Sequence, residues 1–154
     1  SPSVFTGGFF LCPNSPKTKA KIMNVNTNSE LDFSKLEGLI AAVIQDSVSK
    51  EVLMVGFMNE QAFAQTLTTG FVVFYSRSRD KLWLKGESSG HTLQVVNLRM
   101  DCDRDALVIE VIANGPGVCH EGYASCFFRT RQGNEWSTTA EKTFSPNDVY
   151  GGAQ

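Results

Sequence analysis

Leu39-Ile40-Ala41-Ala42-Val43-Ile44, Asp46-Ser47-Val48-Ser49-Lys50 and Glu51-Val52-Leu53-Met54-Val55-Gly56-Phe57-Met58 are two short apolar runs around a polar spacer. Runs of this length, rich in β-branched residues, suit strands, and the Asp- and Ser-containing spacer reads as the turn of a hairpin. Asn59 follows as an N-cap, Glu60 suits the positive end of a first helical turn, and Gly70 is placed as a stop, so a helix is expected over Glu60–Thr69. Working outward, Phe71–Tyr75, Leu82–Lys85, Leu93–Met100, Ala106–Ala113 and Cys126–Arg131 all carry the composition of strands. The expectation is an α+β domain that is mainly β.

The chain has 154 residues, 14 Lys plus Arg against 16 Asp plus Glu, and a formal net charge of −2. A chain of this size hides roughly 70% of its unfolded surface and supports one core without staples. It lacks the cationic excess that phosphate-backbone binding uses, so no nucleic-acid partner is expected. No apolar run approaches the roughly 18 residues of a membrane span, so no membrane partner is expected either. Residues 1–30 are rich in Pro, Gly, Ser, Thr and Asn, with no acid before Glu30, and are expected to be a disordered leader, with a transit-segment remnant as the lesser alternative. The folded body is expected over 31–133, and 134–154 as a polar C-terminal tail containing Pro146 and Gly151. Four cysteines are too few for a disulfide scaffold, and three of them within Cys102–Cys126 invite a metal reading.

Asp101-Cys102-Asp103-Arg104-Asp105 lies between two strand candidates. If extended, it projects three carboxylates to one face and Cys102 to the other. Three carboxylates so close repel unless a cation sits among them, and oxygen ligands suit Mg²⁺; a solvated acidic turn is the alternative. An EF-hand is excluded, because Ala106 and Ile112 stand where that loop needs Gly and Glu. Cys119 and Cys126 flank His120-Glu121-Gly122-Tyr123-Ala124-Ser125, and with Cys102 they make three soft donors. Three protein ligands leave a fourth zinc position for water, whose pKa falls to about 7; buried, inert cysteines are the alternative. His120 and His91 are candidates for moving a proton near such a water, or plain structural residues. Arg77, Arg79 and Lys85 supply cations, and Ser88 and Ser89 hydroxyls, around a turn that suits phosphates or is simply exposed. Trp83 is either core or a stacking surface for a base, and Glu87 is a second proton handler or an ion-pair partner of Lys85. The P-loop pattern is absent.

Taken together, Ser76-Arg77-Ser78-Arg79, Trp83-x-Lys85-Gly86-Glu87-x-Ser89-Gly90, Asp101-Cys102-Asp103-x-Asp105 and Cys119-His120-x-Gly122-x-x-Ser125-Cys126-Phe127 resemble the phosphoribosyl-AMP cyclohydrolase family of histidine biosynthesis, over about residues 36–128. The resemblance implies zinc-dependent hydrolytic opening of the adenine ring of 1-(5-phosphoribosyl)-AMP, at the N1–C6 bond. It implies Cys102, Cys119 and Cys126 as zinc ligands and Asp101, Asp103 and Asp105 as magnesium ligands. It also implies a pseudobarrel of short strands in an intertwined homodimer, with the zinc site completed across the interface by a second copy's Cys102. A cytoplasmic enzyme is expected, with plastid as the lesser alternative. Two rivals stand beside this reading: a non-catalytic zinc-binding module, and a zinc nucleobase deaminase, whose H-x-E…P-C-x-x-C signature is missing.

Overall fold

The expected hairpin forms from β1 (Ile40–Asp46) and β2 (Val52–Met58), antiparallel from Ile40 opposite Met58 to Ile44 opposite Met54. Its turn is built on Asp46, whose Oδ1 accepts the backbone N–H groups of Val48 (2.9 Å) and Ser49 (2.8 Å) and the Ser49 hydroxyl (3.1 Å). These donors, the Ser49 amide first, hold the Asp46 carboxyl below the usual carboxylate range. A depressed folded-state pKa gives stability that is present above the unfolded value, near about 3.9, and lost as pH falls through the folded value. Asp46→Ala is therefore expected to cost about 1 kcal/mol at neutral pH, kept small by solvent around the turn. Urea unfolding should show the gap to wild type closing at acid pH, and a gap of the same size at pH 7 and below the folded pKa would contradict this account.

The computed structural model describes residues 30–151. The expected leader falls on residues 1–29, outside the described residues, with only Glu30 described. β1 pairs on its other side with β6 (Ala106–Ala113), in parallel, and β6 pairs antiparallel with β5 (Leu93–Met100), giving the sheet order β2-β1-β6-β5. The parallel pair needs a crossover, which the intervening helix and hairpin supply. Alternation sets the core: Ile40, Ala42 and Ile44 of β1 and Leu107, Ile109 and Val111 of β6 are buried.

The helix α1 occupies Glu60–Thr69 as expected. Asn59 Oδ1 accepts the Ala62 N–H at 2.8 Å, and Gly70 closes the helix in the left-handed region with its N–H on Thr66 O. The buried Thr66 hydroxyl donates to Ala62 O (2.9 Å) and accepts from the Val73 N–H (3.0 Å), tying α1 to β3 (Val73–Ser76). β3 pairs with β4 (Lys81–Leu84), and the preceding backbone reaches β5 through Val72 N–H to Leu93 O (3.0 Å) and Val95 N–H to Gly70 O (2.8 Å). The buried Phe74 of β3 belongs to the same core as the β1 and β6 side chains.

Two expectations change near the C-terminus. The strand expected over Cys126–Arg131 is β7 (Arg129–Gln132), because Cys126 N–H is taken by Leu53 O (2.8 Å) and the Ser125 hydroxyl by Val52 O (2.8 Å), which pins that stretch to β2. The residues read as a polar tail contain β8 (Glu135–Thr138), paired with β7, and the short helix α2 (Pro146–Tyr150). β8 shows no apolar alternation because it is almost wholly solvated, Trp136 being 68% exposed. The mainly β α+β class holds, with eight strands and two helices among the described residues. None of those helices is long and apolar enough to cross a membrane.

Candidate active site

β4 runs into a tight loop at Gly86, which has φ 89°; Glu87 N–H donates to Leu84 O (3.0 Å) and Gly90 N–H to Gly86 O (2.8 Å). The turn presses Gly86 against the chain that follows it: a Cβ there would lie 2.5 Å from the backbone C and O of His91. This close approach explains why a glycine stands between Lys85 and Glu87. The loop presents Lys85, Glu87, Ser88 and Ser89 to a cavity of about 320 Å³, whose other walls include Arg79, Trp83, His120 and Cys126. A second cleft of about 610 Å³ adjoins it, sharing Met54, Arg79 and Trp83 and adding Ser76, Arg77 and Ser78. The Arg77 guanidinium lies 4.0 Å from the Phe57 ring centroid and that of Arg79 5.7 Å from Trp83.

The cysteine loop folds back on itself: Gly122 N–H donates to Cys119 O (3.0 Å), Cys119 N–H to Tyr123 O (3.1 Å), and Val118 N–H to Ala124 O (3.2 Å). The fold-back brings the Cys119 thiol close enough to Cys126 to act on it, which their separation in the chain does not reveal. Cys126 has an exposed face, yet burial of its thiol and then the neighbouring Cys119 push it up to about 12, with Lys85 opposing the shift. Beneath it, Lys85 is buried and donates from Nζ to Val118 O at 2.8 Å. Burial lowers the Lys85 pKa, and the two thiols oppose that shift. Tyr123 stacks on Phe128 with centroids 3.8 Å apart and closes the back of the loop.

The acidic segment is a turn, not an extended strand, so the expected alternation of its side chains does not occur. Asp101 Oδ1 accepts the N–H groups of Asp105 (3.1 Å) and Ala106 (3.2 Å), and Arg104 adopts φ 67°. The turn still gathers Asp101, Asp103 and Asp105, with ligand oxygens within 4.8 Å of one another. Lys35 reaches in among them, with Nζ 2.9 Å from Asp103 Oδ2 and 3.6 Å from Asp105 Oδ2. Its hydrogen bond holds the Asp103 carboxyl below its usual range. Three carboxylates that already seat an ammonium have the donor chemistry for a hard divalent cation. Among the described residues this is the single such cluster of three. Cys102 sits exposed on the same turn and does not join Cys119 and Cys126 within one chain.

The structure thus brings Arg79, Trp83, Lys85, Glu87, Ser88, Ser89, His120 and Cys126 to one cavity, and Arg77 to its neighbour. His91 is not among the cavity's lining residues: it is buried, donates from Nδ1 to Gly117 O (2.9 Å) and meets the Phe144 ring edge-on at 4.9 Å. Sequence reading misses Lys35, Met54, Val118 and Tyr150. Of these, only Tyr150 leaves a local trace, since Ser145-Pro146 ahead of it is a helix-start pattern.

A family model described as phosphoribosyl-AMP cyclohydrolase matches residues 54–128. Proteins named phosphoribosyl-AMP cyclohydrolase are similar over most of the chain. That of Solibacter usitatus is 59% identical over 122 residues, covering 79% of this chain and 97% of that protein. Those of Geotalea uraniireducens and Geobacter sulfurreducens are 50% and 49% identical, covering 79% and 78% of this chain and 97% and 96% of theirs. Similarity at this level, along nearly the whole length of each relative, makes the chain a hydrolase that belongs to the phosphoribosyl-AMP cyclohydrolase family.

Proposed function

We propose that this enzyme hydrolyses the N1–C6 bond of the adenine ring of 1-(5-phosphoribosyl)-AMP, giving the phosphoribosylformimino-aminoimidazole carboxamide ribotide, a step of L-histidine biosynthesis. The observation that carries the reading is the paired thiols of Cys119 and Cys126 beside a cavity whose walls also hold His120, Glu87, Arg79 and two serine hydroxyls. Cys119, Cys126 and, from a second copy of the chain, Cys102 would hold zinc, which when bound supplies a Lewis acid and an acidified water.

The chain's own groups account for the remaining steps. His120 takes a proton from the attacking water and returns it to N1 as the N1–C6 bond breaks, with Glu87 as a second proton handler on the same wall. His91 acts from behind: its hydrogen bond to Gly117 and its contact with Phe144 hold the cysteine loop in place. Two adjoining clefts that share Arg79 and Trp83 suit a purine carrying a phosphoribosyl group at each end. Arg77, Arg79, Ser88 and Ser89 would take the phosphates, Trp83 the base, and Lys85 would balance charge where thiols and phosphate meet.

A homodimer belongs to the same proposal. Cys102 is exposed at the β5–β6 turn, and the two strands that meet there expose Val96 and Ile112, apolar surface suited to a second copy. Strands joined from β2 through β5 to the backbone before β3 support the pseudobarrel description. Free thiols used as ligands favour a reducing compartment, the cytoplasm.

Product analysis tests the reaction class. Incubation with 1-(5-phosphoribosyl)-AMP should yield a species that has gained one water, with no ammonia released; ammonia release would replace this reading with deamination. For the second metal, Asp103→Asn is expected to weaken Mg²⁺ binding by about tenfold or more while zinc content stays unchanged. Mn²⁺ titration alongside elemental analysis checks it, and loss of both metals together would show that the two sites are not separate.

A further inference from the structure

The chain returns to the active site after the family-matched segment ends at residue 128. Following β8, Lys142 bridges to Tyr123, the Thr143 N–H donates to Gly122 O at 2.8 Å, and Phe144 lays its ring edge-on to His91. Two glycines of the cysteine loop make this seating possible. A Cβ on Gly122 would lie 2.5 Å from Phe144 O and 3.1 Å from Pro146 Cδ, and one on Gly117 would lie 2.8 Å from Thr143 Oγ1. The segment is therefore packed backbone-close onto the loop that carries Cys119 and Cys126. Pro146 then opens α2, and its last residue, Tyr150, reaches the wall of the 320 Å³ cavity beside Trp83, Lys85, His120 and Cys126.

We propose that Tyr150 is a substrate-contacting residue, presenting its aromatic face to the purine, and that residues 142–146 are the strap that positions it. The choice of purine over phosphate follows from what else lines the cavity. Arg79, Ser88 and Ser89 already offer donors to phosphate, whereas the aromatic surfaces are those of Trp83 and Tyr150. A purine needs flat apolar contacts, and one alkylated at N1 gains further from aromatic faces because of its positive character. Tyr150 is 37% exposed, which leaves ring surface free for a ligand to cover. The substrate named here rests on the cyclohydrolase reading, but nucleotide binding by Tyr150 does not.

The test uses 5′-AMP as the probe, titrated by calorimetry into the zinc-loaded enzyme and its Tyr150→Phe, Tyr150→Leu and Tyr150→Ala variants. Base–aromatic stacking predicts about tenfold weaker AMP binding in the Leu and Ala variants and binding within about twofold of wild type in the Phe variant. KM for 1-(5-phosphoribosyl)-AMP should rise in parallel with kcat little changed, because the face is offered equally to ground and transition states. Unchanged AMP affinity in a folded Tyr150→Leu or Tyr150→Ala enzyme would overturn the proposal. So would a Phe variant as weak as the Ala variant, or a wild-type enzyme that does not bind AMP. A wild type that binds AMP but leaves 1-(5-phosphoribosyl)-AMP intact would sink the cyclohydrolase reading alone, with Tyr150 still judged by the titrations.

Discussion

Cys119→Ser is expected to leave the protein without zinc and to lower turnover by about a thousandfold or more, while the fold survives. The magnitude follows from losing a Lewis acid worth several kcal/mol at the reacting carbon. The fold should survive because serine is close to cysteine in size and the residue's buried neighbours, Tyr123 and Phe128, keep their stacked contact. Elemental analysis, turnover and thermal unfolding measured together separate the possibilities. A folded, zinc-free and fully active variant would end the metal mechanism. Collapse of the fold on losing zinc would instead support a structural module, whose metal supplies folding energy. Because Cys102 does not meet the other two thiols within one chain, the variant also tests the shared site. Co-refolding Cys102→Ser with Cys119→Ser protein should regain about a quarter of wild-type activity, since half of randomly formed dimers carry one intact site of two. No recovery would contradict a site built from two copies.

Gly86→Ala is the second large effect. The residue has φ 89°, and the added methyl would meet the C and O of His91 at 2.5 Å and Thr92 N at 2.6 Å. These are backbone atoms and cannot swing aside as a side-chain tip would. Strain at the left-handed position and forced repacking together should cost about 3 kcal/mol or more, read as a lower urea midpoint. Activity should fall with it, because the same turn carries Lys85, Glu87, Ser88 and Ser89 to the cavity. Gly90→Ala is the comparison: at φ 75°, with nothing within 4 Å of a new Cβ, it should cost only about 1 kcal/mol. Equal stability of the two variants would contradict the close packing of this loop.

What the amino-acid sequence reveals is mostly local. Asn59 and Gly70 set the ends of α1 through bonds spanning four residues or fewer, and Asp46 caps its own turn. Strand existence was readable from composition, but strand ends depend on partners distant in the chain: Cys126 and Ser125 bond to β2, so β7 starts only at Arg129. The Asp101–Asp105 segment shows a different limit. Alternation was the wrong geometry, because the Asp101 carboxylate captures two later amides and curls the chain, yet the curl also gathers the three acids. The paired thiols, the buried Lys85 under them and Tyr150 on the cavity wall arise from tertiary folding and carry no spacing signal of their own. β8 and α2 hid in a polar stretch because their stability comes from the hairpin and from backbone-close contact with Gly117 and Gly122, not from burying an apolar face.

The central claim, zinc-dependent opening of the purine ring, is tested most directly by following the absorbance of 1-(5-phosphoribosyl)-AMP with one enzyme preparation in three states: zinc-loaded, stripped by chelator, and reloaded. Ring opening is expected to disappear on stripping, with the protein still folded, and to return with zinc. Folded, dimeric, zinc-loaded protein that leaves the purine ring closed in the presence of Mg²⁺ would contradict it, as would turnover that persists after the zinc is gone.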